Sequence, residues 1–171
     1  NASNFPVITI PDKVSLCTNL EFGILNNNQE ARGYRWIKLN TDGSEEIIST
    51  TRNFEYKEIG NYRLELYNII SEFGANIECA VTKNFEIVYS ESPEIEDVIV
   101  SREPNGLRIE VIASGGSEFE YSIENNDYGY QDSAIFTNLK PAERIVYVRD
   151  KFGCGVAQRL VEREITFKDF P

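Results

Sequence analysis

The chain contains no histidine, and its 171 residues include one tryptophan and three cysteines. Without histidine it lacks the commonest general base at neutral pH and the commonest transition-metal ligand. Triads built on histidine and most zinc sites are therefore excluded. No run approaches the roughly 20 consecutive apolar residues of a membrane helix, so membrane insertion is not expected. The opening Asn1-Ala2-Ser3-Asn4 lacks the basic and apolar layout of a signal peptide, and reads as a mature or excised segment. Positive charge is scarce: 17 basic against 28 acidic side chains give a net charge of -11 and a pI near 4.6. That field repels phosphate backbones, which excludes nucleic acid and anionic membrane surfaces as partners. The plain reading of such acidity is solubility.

What is present is apolar material enough for real cores, 41% hydrophobic and 12% aromatic. The dominant period is two. In Leu107-Arg108-Ile109-Glu110-Val111-Ile112-Ala113 the residues at 107, 109, 111 and 113 share one strand face, and Tyr62-Arg63-Leu64-Glu65-Leu66 alternates likewise after the turn pair Gly60-Asn61. Short runs rich in β-branched and aromatic residues predict further strands at 7–10, 34–39, 85–89, 95–100, 119–123, 145–148 and 165–167. Turn signals such as Asp42-Gly43, Asn105-Gly106 and Gly115-Gly116 separate them, and no segment carries a helical apolar stripe. The polar, proline-bearing Ser90-Glu91-Ser92-Pro93-Glu94 marks a boundary between 1–90 and 91–171. These readings predict an all-β chain of two tandem immunoglobulin-like β-sandwich domains.

Cys17, Cys79 and Cys154 show no C-x-x-C spacing, so their chemistry is expected to be structural. Cys17 in an early strand, Trp36 after it and Cys79 beyond the tyrosine-bearing strand follow the order of a tryptophan buried against an inter-sheet disulfide. A Cys17–Cys79 bridge closing a loop of some sixty residues would contribute about 4 kcal/mol in the chain-entropy picture. Two buried thiols in a reducing compartment are the alternative. Cys154 has no evident partner in its own half and reads as a buried thiol or a contact to a neighbouring domain.

Glu65, Glu110 and Glu120 alternate with apolar residues and belong on solvated strand faces, which argues against an acid pair of the glycosidase kind. Glu124-Asn125-Asn126-Asp127 offers hard oxygen ligands for calcium, but lacks the spacing of an EF-hand and reads better as a polar turn. No cofactor or metal site is assigned. Tyr121, Tyr128 and Tyr130, with Phe136, form an aromatic cluster that is either core or a platform for a sugar ring or protein partner.

Three segments carry a resemblance in order: Glu118–Glu124, Tyr130–Pro141 and Tyr147–Gly155. Together they resemble the repeat of gliding-motility adhesins and other large surface proteins of the Bacteroidota, exported by the type IX secretion system. Leu16-Cys17, Tyr34-Arg35-Trp36 and Gly60–Leu64 resemble the immunoglobulin-like or PKD-like domain that often precedes that module, and Ile165–Pro171 is similar to the lead-in to a type B C-terminal sorting domain. The second module departs from the family at Ala142 and Arg144, where glycine and tyrosine are usual, which puts its tyrosine-corner hydrogen bond in question. Asp132-Ser133-Ala134 resembles the motif at which these bacteria attach O-glycans, making Ser133 a candidate O-glycosylation site.

The resemblance implies an extracellular or cell-surface, non-catalytic pair of modules that spaces or presents adhesive domains beside a secretion signal. Its partners would be neighbouring domains of the parent chain and a surface polysaccharide or protein. Two other readings stand beside it: an accessory carbohydrate- or protein-binding unit of a secreted enzyme, and a small hydrolase using paired carboxylates.

Overall fold

The computed structural model describes residues 5–162. The chain divides into two compact units, Asn1–Tyr89 and Ser90–Pro171, where the sequence places the division one residue later. Among the described residues every element is a strand.

The first module contains β1 (Lys13–Cys17), β2 (Gly23–Asn26), β3 (Gly33–Leu39), β4 (Glu45–Ser49), β5 (Asn53–Tyr56), β6 (Gly60–Glu72) and β7 (Ala75–Ser90). Five strands form one sheet in the order β1-β7-β6-β3-β4, and β2 pairs with β5 in the other. Alternation sorts β6: Tyr62, Leu64 and Leu66 are buried while Arg63 and Glu65 face outward. Those residues meet Leu25, Phe54 and Tyr56 of the facing sheet in one core around Trp36. The Trp36 ring stacks on Phe54 at 5.0 Å and meets Phe85 edge-on at 5.9 Å, and its indole N–H donates to the Thr51 carbonyl at 2.7 Å. The Tyr62 hydroxyl donates to the Glu58 carbonyl at 2.8 Å, four residues upstream. A buried tryptophan on β3, this tyrosine corner at the start of β6 and the strand order are those of an immunoglobulin-like sandwich.

The expected Cys17–Cys79 bridge is corrected by the structure. Cys79 is a buried free thiol, while Cys17 and Cys154 are both disulfide-bonded, so Cys154 is not a thiol. Strands β1 and β7 are neighbours in one sheet, so cysteines on them do not face each other across the sandwich. The position two residues past the corner tyrosine is held by Leu64, which shares one buried cluster with Trp36 and with Leu25 of the facing sheet. Apolar packing there does the work that the sequence order attributes to a disulfide. Non-reducing peptide mapping is expected to show the Cys17 and Cys154 peptides shifting on reduction, and Cys79 alkylated without reductant once the chain is unfolded. A cross-linked Cys79 peptide would contradict this.

The expected strand at 7–10 is irregular instead. The buried Asn27 side chain accepts from the Thr9 N–H at 2.7 Å and donates to the Val7 carbonyl at 3.0 Å, so an amide side chain takes the place of a ladder.

Strands β6 and β7 run on beyond their neighbours as a two-stranded ribbon, since β3 stops pairing with β6 at Tyr67. The ribbon closes between Glu72 and Ala75 through Phe73 (φ 50) and Gly74 (φ 78), the two positive values of a type I′ turn. Phe73 is fully exposed, so it gains no burial in return for a left-handed conformation that costs roughly 1–2 kcal/mol. Phe73→Asn, which restores the preferred Asn-Gly pair, is expected to raise the stability of the first module by about 1 kcal/mol in urea unfolding. An unchanged or lowered midpoint would refute the strain.

The second module contains β8 (Glu94–Glu103), β9 (Gly106–Ser114), β10 (Phe119–Ser122), β11 (Ile135–Leu139), β12 (Arg144–Asp150) and β13 (Val156–Val161). Its sheets run β11-β9-β8 and β10-β12-β13. Ile109, Val111 and Phe136 of the first pack on Val146 and Val148 of the second. The period-two segment 107–113 is thus the central strand of its sheet. At the start of β12 the Arg144 guanidinium donates to the Lys140 carbonyl, four residues upstream. The expected strand at 165–167 lies outside the described residues.

Candidate functional site

Three strands of the first module place Leu39, Asn61 and Glu86 in one cross-strand row, because Leu39 pairs with Asn61 and Asn61 with Glu86. The Glu86 N–H donates to the Asp12 carbonyl at 2.9 Å, which brings the segment before β1 to the end of that row. Asn84 lies one step along the same face, opposite Arg63. The β3–β4 turn supplies Asn40 and Thr41, and these residues line an open cleft of about 450 Å³. The turn is held from within: Asn40 N–H donates to Ser44 O at 2.9 Å, Gly43 N–H to Asn40 O at 3.0 Å, and Asp42 Oδ1 accepts from the Ser44 N–H and hydroxyl. Those bonds from Ser44 hold the Asp42 carboxyl below its ordinary range.

Both carboxylates of the cleft have cationic partners. Asp12 lies 3.0 Å from Lys83 and Glu86 lies 3.9 Å from Lys13. A general acid needs an apolar surrounding that favours its neutral form, and these side chains are 90% and 48% exposed. The acids nearby are similarly engaged. Arg35 grips Glu78 with two bonds of 3.0 and 2.9 Å, Arg63 grips Glu45 at 2.9 and 2.7 Å, and Glu65 bridges both arginines at 3.4 and 3.3 Å. The Arg35 guanidinium also lies 4.1 Å from the centre of the Tyr67 ring. Hydrogen bonding from Arg63 and Arg35 holds Glu45 and Glu78 below the ordinary carboxylate range, and Lys38 does the same for Glu58.

Carboxyls depressed in the folded state contribute stability that is present above their unfolded pKa and lost as pH falls through the folded one. The first module is therefore expected to keep a constant urea midpoint above about pH 5 and to lose stability below about pH 4. The loss should shrink in about 1 M salt, because exposed pairs are screened. A midpoint that does not move between pH 5 and 3 would refute it.

The aromatic cluster of the second module does not assemble into a platform. Phe136 is core, and Tyr121 is half-buried beside Phe119 at 6.4 Å, which pushes its hydroxyl pKa up. Tyr130 lies under the Arg149 guanidinium at 3.9 Å and donates to the Asn126 carbonyl at 2.9 Å, and burial raises its pKa too. Arg149 in turn is held by Glu120 at 2.7 Å. Only Tyr128 of the three is exposed, at 61%. Within the 124–127 loop, Asn125 Oδ1 accepts the Asp127 N–H at 2.9 Å, the bond of a polar turn. The buried Ser122 hydroxyl accepts the Glu124 N–H at 3.1 Å and donates to the Tyr128 carbonyl at 3.0 Å. Ser133 is exposed, and its hydroxyl accepts the Ile135 N–H at 3.2 Å.

The cleft residues escaped the reading of the sequence. Asn40, Thr41, Asn61 and Asn84 are spread over 45 positions, and each looks like an ordinary turn or strand-face residue. Only Gly60-Asn61 carried a signal, and it pointed to a turn.

No protein-family model and no curated protein matches the sequence. Among solved structures, the chain is similar to an amphioxus IgVJ-C2 molecule, at 13% identity over 89% of this chain and all of that one, with a TM-score of 0.34. That likeness is too loose to carry weight, and the immunoglobulin-like assignment rests on the strand order, the tryptophan and the tyrosine corner described above.

Proposed function

We propose that the chain is a pair of non-catalytic extracellular sandwich modules that space or present adhesive domains of a bacterial surface protein. On this reading the parent is a Bacteroidota protein of the type IX secretion class, with a sorting domain following the second module. The observation that carries the proposal is the state of the carboxylates. Those drawn together among the described residues are shared out to arginine and lysine on exposed faces, which is how a surface is solubilised rather than how an acid pair is poised. The disulfide supports export, because such bonds persist in oxidising compartments. Two separate cores in one short chain suit a spacer, which must stay folded without help from a ligand.

The test is the location and continuation of the parent protein. Surface proteolysis of intact source cells should release fragments of both modules, and the gene should continue in frame past Pro171 into a sorting domain. Recovery from the cytoplasm with all three cysteines reduced, or turnover of a polysaccharide or peptide abolished by one Asp or Glu substitution, would overturn the reading.

A further inference from the structure

We infer that the open cleft of the first module is a binding subsite for a neutral saccharide. Its walls carry groups that both donate and accept: the side-chain amides of Asn61 and Asn84, the Thr41 hydroxyl and, beside them, Asn40. Sugar hydroxyls are likewise donors and acceptors at once, so amides match them where a lone cation or carboxylate would not. Among the described residues no hydrogen bond occupies the side chains of Asn61, Asn84 or Thr41, so a ligand need break none to engage them.

Charge narrows the class further. Asp12 is matched by Lys83 and Glu86 by Lys13, which leaves the cleft with no unbalanced charge to attract an ionic ligand. Lys83 is further engaged by the Ile10 carbonyl at 2.7 Å. The arginines that begin at Arg63, opposite Asn84, are gripped by glutamates and offer no free cation to an acidic sugar. The half-buried Leu39 gives an apolar strip in the row with Asn61, suited to the C–H face of a sugar ring.

Rigid elements hold these groups in place. Asn61 and Asn84 stand on paired strands, and Asn40 and Thr41 on a turn closed by five internal hydrogen bonds, one of them from the Asn40 side-chain amide to the Ser44 hydroxyl at 3.0 Å, so little ordering is lost on binding. A volume of about 450 Å³ falls at the small end of ligand sites, which accommodates one or two sugar residues of a longer chain. This site deepens the module reading without depending on it, because a module that binds no sugar would still be a spacer.

The experiment is a titration of the whole chain, labelled with nitrogen-15, with neutral gluco-, manno-, xylo- and chito-oligosaccharides and with polygalacturonate fragments as acidic controls. The side-chain amide signals of Asn61 and Asn84 are expected to shift saturably with at least one neutral series, at a Kd of about 1 mM or weaker for so open a site. Chelator should leave the shifts unchanged. Asn84→Ala and Asn61→Ala, both on exposed positions, should weaken binding about tenfold or more while the backbone spectrum away from the cleft stays as it was. Tyr128→Ala should bind like the unmodified chain. No saturable shift with any neutral series, shifts only with the acidic fragments, or shifts centred on Tyr128 would each overturn the inference.

Discussion

Trp36→Ala is expected to cost the first module about 3–5 kcal/mol, a large part of the stability of a domain this size. The indole is fully buried against Phe54 and Phe85, in one cluster with residues of both sheets, Leu25 and Leu64 among them. Truncation to a methyl group removes the ring contacts, leaves a void and strips the Thr51 carbonyl of its donor. Cys79 is a free thiol, so no Cys17–Cys79 bridge limits the damage. Urea unfolding should show the first transition moved far down or abolished. The second module, with its own core, should keep its dispersed amide signals. A loss below about 1 kcal/mol would mean that the two sheets are held together elsewhere.

Asp150→Ala should be the most damaging polar change in the second module. Asp150 is 2% exposed, and its carboxylate accepts from the Ser90 hydroxyl at 2.6 Å, the Phe152 N–H at 3.1 Å and the Cys154 N–H at 3.0 Å. Ser90 passes the arrangement on by accepting from the Ser117 N–H at 3.1 Å. One carboxylate therefore shapes the turn between β12 and β13 and ties down the start of the module. Removing it orphans three donors, and a hydrogen bond to a charged group contributes about 1.5–3 kcal/mol, so a loss of at least about 3 kcal/mol is expected. Asp150→Asn keeps the shape and one acceptor and should cost less. Equal costs for the two variants, or no cost, would show that the charge and its bonds do not organise this turn.

These two residues mark how differently a core and a node read from a sequence. Trp36 is legible because the chain has a single tryptophan, set in a β-rich run and followed by an alternating Tyr62–Leu66 strand. Asp150 is one of 28 acidic residues, and nothing in Arg149-Asp150-Lys151 separates it from a surface charge. Its burial arises because β12 delivers it under a turn whose N–H groups point inward, which is a property of three segments at once. The aromatic cluster shows the same limit. In sequence Tyr121 and Tyr130 read as either core or platform, and Arg149 and Glu120 on two different strands make Tyr130 a structural contact that is neither.

Period-two alternation, the turn residues and the proline-bearing boundary were enough to determine that the described residues form only strands around two cores, because a strand's inward and outward faces are decided by neighbours one and two positions away. Tertiary structure alone decided that Cys79 stays a thiol, that Leu64 is buried with Trp36 in one core, and that three asparagines line one cleft. Each of those depends on which strands lie side by side and which face each other, and that ordering is fixed only when distant segments pack.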